Sequence, residues 1–166
     1  MKNRNTIDIL LIAFFAIGII IGIFTTIRFV DVNIEDVNLN FASLNIRNVF
    51  VTTFLVNLLW IAVVMLLGAK ETTSPLLFAV LLVKGYFSGF SFSYLIKCCG
   101  ISYTIKAVFG LFIPSLIIGI SIILLCKYLI CKNFKNTQGS ILFALSVYVF
   151  ANIVQSYMQY IVFYKF

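Results

Sequence analysis

Lys84 is the one ionisable side chain set deep inside an apolar stretch of this chain, eight residues after Leu76 and twelve before Ile96. An ammonium at that depth costs roughly 2.5–3.5 kcal/mol on insertion scales and marks a functional position by default. Eight residues of helix rise about 12 Å, farther than a lysine stem comfortably snorkels. Lys84 is therefore expected to turn inward, where neutral acceptors must meet it. One set of candidates is Asn152, Gln155, Ser156 and Gln159, whose offsets of three, four and seven place them on one stripe of a helix. Another is a carbonyl near Gly110, freed where Pro114 should kink its helix. Ser88 and Ser91 share the helical face of Lys84, and Asn57 adds an amide from an earlier segment. These residue types adhere, orient or hold a ligand.

Reactive chemistry is not written in the chain. Catalysis near neutral pH draws on His, a tuned carboxylate or an activated thiol, and His is absent. The acids Asp8, Asp31, Glu35, Asp36 and Glu71 fall at helix ends or in loops, so no carboxylate sits in hydrocarbon to relay protons or bind a cation. No phosphate-cradling glycine loop or nucleophile motif occurs, and no cofactor is expected. Cys98 and Cys99 close one apolar run, Cys126 and Cys131 the next. Consecutive spans end on opposite faces of a membrane, so distance excludes disulfides between the pairs and the converging ligands of a zinc site. Free thiols and no metal are expected.

The elements that carry these residues follow from composition. The chain has 166 residues, 63% hydrophobic and 10% charged, with a mean hydropathy of +1.14. Soluble domains carry about 25% charged residues. A single all-α membrane domain covering residues 1–166 is expected, a bundle of five transmembrane helices over about 9–27, 49–69, 76–96, 107–126 and 141–164. The first run of 19 apolar residues outlasts the 7–15 of a cleaved signal sequence and lacks a small-residue cleavage site, which favours a retained helix. Residues 28–48, with three acids and several Asn among apolar residues, suit an interfacial helix and a solvated linker equally.

The net charge of +7 comes from basic residues placed singly between apolar runs, the pattern of topology signals and not of a nucleic-acid surface. With the N-terminus inside, Lys2, Arg4, Lys70, Lys127, Lys132 and Lys135 are cytoplasmic, against Arg28, Arg47, Lys97, Lys106 and Lys165 outside. Both dense clusters, Lys2 with Arg4 and Lys127–Lys135, favour a cytoplasmic N-terminus. Lipid is one expected partner and other membrane proteins another; five helices suit a lone bundle and a dimer alike.

Small residues point to close helix contacts. Gly18 and Gly22 lie four apart in the first span and Gly85 and Gly89 in the third, the spacing that lets two backbones approach. The third span, LLVKGYFSGFSFSYLI, carries Lys84, Gly85, Gly89 and Phe90 in the order Lys-Gly, three residues, Gly-Phe. In this it resembles the signature of the stage II sporulation protein M family. The first span, FFAIGIIIGIF, looks like the family's opening helix, and NLLWIAVVMLLG, with Trp60 and Gly68, like its second. Pro114 stands where the fourth helix of the family keeps a late proline. The chain departs from the family at Ala107, Val108 and Phe109, where many members have Pro-Gln-Asn, and in its shorter first loop. The resemblance implies a non-enzymatic membrane scaffold that recruits peptidoglycan-degrading partners during engulfment. Relatives of this size resemble accessory membrane proteins encoded beside circular bacteriocins, which implies a role in maturation, export or immunity, with an exporter as partner.

Overall fold

The computed structural model describes residues 4–30, 46–70, 72–99, 104–131 and 134–164. Among these the chain is helical throughout apart from short turns, and it forms no strand. The five spanning elements are α1 (Arg4–Phe29), α2 (Ile46–Gly68), α3 (Leu76–Cys99), a composite fourth span, and α5 (Phe134–Tyr164). The fourth span is built from a helical turn (Thr104–Ala107), a π-helical segment (Val108–Phe112) and α4 (Ile113–Cys131). Among the described residues five helices are thus long and apolar enough to cross a membrane, giving an all-α bundle. Most of the 28–48 connection lies outside the described residues, as do Lys2, Lys132 and Lys165.

The helices outrun the apolar stretches that announce them. α1 begins at Arg4 and not near Ile9, and α5 begins at Phe134, two turns before Ile141. Hydropathy marks the segment that sits in hydrocarbon. Backbone hydrogen bonding carries a helix past that limit until a capping or turn residue stops it. One such stop follows α2, where Thr73 donates its hydroxyl to the Leu67 carbonyl at 2.6 Å and to that of Lys70 at 3.1 Å. Proline, expected to kink the fourth span, stands at the second position of α4. The π-helical segment Val108–Phe112 immediately before it widens the turn, and the helix continues through Pro114.

The closest pair of helices is α1 with α3, which run parallel. A Cβ on Gly18 would lie 2.9 Å from the Tyr86 amide nitrogen, and one on Gly22 2.7 Å from that of Phe90. From the other side, Gly85 faces the carbonyl of Phe15 and Gly89 that of Ile19. The two backbones therefore touch, with no room for any side chain at the four glycines. Side chains fasten the ends of this pair. The Thr26 hydroxyl donates to the carbonyl of Gly22 at 3.0 Å and lies 3.4 Å from that of Phe90. The Lys97 ammonium caps the end of α1, donating to the carbonyls of Ile27 at 3.1 Å and Val30 at 2.6 Å.

The dry core lies in the other half of the bundle. Leu11, Phe15, Leu77, Leu81, Ile118 and Ile122 are buried together there. Phe15 fits a notch at Gly119, where any Cβ would run into the ring. At the same end Lys127 pairs with Asp8 at 2.7 Å, tying the start of α1 to the end of α4. Cys126 is buried and Cys131 half-buried, both as free thiols. Large apolar side chains such as Ile20, Leu66 and Phe150 point outward, as the lipid-facing surface of a membrane bundle does.

Candidate functional site

α3 turns one face to α1 and another, bearing Lys84 and Ser88, to α2 and the fourth span. Lys84 retains only 8% of its exposure, and its ammonium donates to Oδ1 of Asn57 at 3.1 Å. The same ammonium stands 5.5 Å from the centre of the Trp60 ring, one turn further along α2, within the range of a cation–π contact. Among the described side chains of the α5 stripe, Asn152 and Gln155 meet Lys84 through Asn57 and not directly as the spacing suggests. Asn57 of α2 intervenes, bonding Lys84 of α3 on one side and Asn152 and Gln155 of α5 on the other.

Asn57 is the hub. An ammonium can only donate, so Asn57 must turn its carbonyl oxygen to Lys84 and its amide N–H groups to α5. Those two hydrogens go to Oδ1 of Asn152 and, at 3.2 Å, to Oε1 of Gln155. Asn152 then has its own amide nitrogen left to donate, and it does so to the Tyr148 carbonyl at 2.9 Å. The Tyr148 hydroxyl closes the circuit by donating to the backbone carbonyl of Asn57. One charge thus sets the orientation of every amide behind it. Asn57, Asn152 and Tyr148 are each at most 4% exposed, and no buried side-chain nitrogen or oxygen among the described residues lacks a partner.

A hydroxyl pair flanks the ammonium on the other side. Ser88 lies 3.0 Å from the carbonyl of Lys84, towards which it donates, and 2.7 Å from the hydroxyl of Ser115 on α4. Ser115 sits just after Pro114, so the proline places the serine that meets α3, while the carbonyls of that turn make no bond to Lys84 among the described residues. Ser156 bonds back to the Asn152 carbonyl at 2.9 Å and stays with its own helix. The Gln159 side chain lies outside the described ones. Phe90 stacks between Tyr86 and Tyr94 along α3, away from the amides.

Between α2 and α3 this polar cluster floors a cavity of about 460 Å³. Its lining includes Lys84, Asn57, Ser88, Ser115 and Gln155 at the bottom, with Thr52 and Ser91 nearer the helix ends. The only carboxylate among the described residues, Asp8, is committed to Lys127. The cavity therefore holds a cation, amides, hydroxyls and an indole, a set that binds and orients but offers no nucleophile with its base. Spacing on α5 pointed to Asn152 and Gln155. It passed over Tyr148, one turn before Asn152, and gave Asn57 no central place, although Asn57 is the sole amide in the apolar run of α2.

Comparison with known proteins finds no matching family model, no matching curated protein and no matching solved structure.

Proposed function

We propose that this chain is a non-enzymatic integral membrane scaffold, an assembly protein of the cell membrane with its N-terminus in the cytoplasm. The observation that carries this reading is how the interior polar groups are used. Lys84, Asn57, Asn152 and Tyr148 bond one another across three helices, locking the bundle, with no nucleophile–base pair among them. The glycine-lined α1–α3 contact supports the same role, since a platform needs fixed helices with apolar outer faces for other proteins to grip. The resemblance to the stage II sporulation protein M family supplies the partner class, cell-wall hydrolases recruited to the membrane.

Photo-crosslinkers placed at the lipid-facing positions Ile20 and Phe150 test this in the native membrane. A scaffold gives discrete adducts, and deleting the chain disperses the captured hydrolase from its membrane site. Adducts to lipid alone, with hydrolase placement unchanged, would overturn the reading. Orientation is checked separately: single-cysteine probes near Lys97 should label from outside and probes near Lys132 should not. A second reading, an accessory component for maturation, export or immunity of a circular bacteriocin, is favoured by the cavity at Lys84. Loss of peptide export or of self-protection on deletion, with hydrolases correctly placed, would select it.

A further inference from the structure

We infer that the cavity between α2 and α3 binds the anionic headgroup of a membrane lipid, with Lys84 as the charge it meets. The first ground is electrostatic. Lys84 is buried and its hydrogen bond among the described residues is to a neutral amide, while the one carboxylate among those residues, Asp8, is paired with Lys127. A cation held in low dielectric without a counter-ion attracts whatever anion can reach it. The hydroxyls of Ser88 and Ser115 and the amide of Gln155 line the same floor and suit the oxygens of a phosphate ester.

The second ground is access. α2 leans on α5 and α4, whereas α3 is held tightly by α1, so the two helices that frame the cavity touch only sparsely. The gap opens on the outer surface of the bundle, between Val56 at 48% exposure and Phe87 at 51%. Such a mouth, at the level of the hydrocarbon, is fed from the bilayer and not from bulk water.

The third ground is the match to an amphiphile. The rim (Val56, Phe87 and Leu111) is apolar and suits acyl chains, while the floor is polar. Thr52 and Ser91 carry the polar lining from Lys84 towards one end of the bundle. They lie five residues before Asn57 and seven after Lys84 on antiparallel helices, a climb of about 8–10 Å. A headgroup entering from that side has hydroxyls along its path.

Trp60 makes the site readable, because it is the only tryptophan in the chain and it lines the cavity. The full-length protein is placed in phosphatidylcholine nanodiscs. Its fluorescence is followed as brominated phosphatidylglycerol or brominated phosphatidylcholine replaces part of the lipid. A charge-assisted site predicts half-quenching at an about tenfold lower mole fraction of the anionic lipid. Lys84→Met should erase that preference while helical content is unchanged. Ser91→Phe, at the exposed mouth, should weaken it by filling the path, and this variant decides the matter if Lys84→Met does not fold. Equal quenching by the two lipids, or a preference that stays undiminished in whichever of these variants fold, overturns the inference. So does a preference that inorganic phosphate abolishes, since the site would then take a soluble anion. Crosslinking to partner proteins is read independently, so failure here leaves the scaffold reading standing, and the reverse holds as well.

Discussion

The two faces of α3 solve the same problem in opposite ways. Towards α1, Gly85 and Gly89 have no side chains and the backbones meet directly. Towards α2 and α4, Lys84 and Ser88 reach across to Asn57 and Ser115, and a cavity of about 460 Å³ remains between the helices. Lipid tails are as apolar as leucine, so helices in a membrane gain little by hiding apolar surface from their surroundings. Association must come from close van der Waals packing or from hydrogen bonds. The α1 side uses the first along its glycines, with hydrogen bonds from Thr26 and Lys97 only towards one end. The α2 side uses the second and leaves room beside its bonds. Close packing and open space are thereby placed on different faces of a single helix.

The largest effect should come from breaking the backbone contact. Gly85→Leu drives a side chain into the Phe15 carbonyl of α1. Overpacking costs about 1–3 kcal/mol where side chains can yield. Here the obstacle is backbone, so a loss at or beyond the top of that range is expected, seen as collapse of monodisperse protein in size-exclusion chromatography. Next comes the hub on the other face. Asn57→Leu strips Lys84 of its acceptor and Asn152 and Gln155 of a shared donor. At about 1–3 kcal/mol for each polar group left unpaired, less whatever water in the cavity restores, a net loss of about 2 kcal/mol should appear as a lower thermal midpoint in detergent.

Lys84→Met tests whether the charge stabilises the fold at all. The exchange leaves Oδ1 of Asn57 without its donor but removes a buried cation, and the two effects oppose each other. A change within about 1 kcal/mol of either sign is expected in the same melting experiment. A large loss would make the ammonium a structural pin, which would narrow the contrast between the two faces. The smallest effect belongs to a glycine that touches nothing. Gly139 has open space around it in α5, so Gly139→Ala should raise the midpoint slightly, by about 0.5 kcal/mol of helix propensity. Equal outcomes for Gly85→Leu and Gly139→Ala would show that glycine content, and not contact, governs this fold.

Much of this fold is legible in the order of residues alone. The apolar runs announce five helices, and their count and order hold. Where each helix ends is not legible, because hydropathy reports transfer into hydrocarbon and is silent on backbone hydrogen bonding beyond it. Arg4 and Phe134 begin helices for that reason. The candidate site is half legible. Lys84 stands out through its depth, and Asn152 and Gln155 through their spacing. Tyr148 and Ser115 carry no such signal, since an aromatic or a serine in a span is unremarked unless its neighbour is known.

By itself the sequence determined the solvent this chain requires, the helical form of its spans and the depth of its one interior cation. Those properties are sums over local residues, and transfer free energies add along a chain. Only the tertiary structure decided that Lys84 meets Asn57, 27 positions away, and that Asn57 meets Asn152, 95 positions away. It also decided that Pro114 is absorbed by a π-helical segment and that α2 stands off from α3 far enough to leave a cavity. Partner choice depends on which helix lies beside which, and in this chain four glycines let α1 claim one face of α3, leaving another for Lys84 and Ser88.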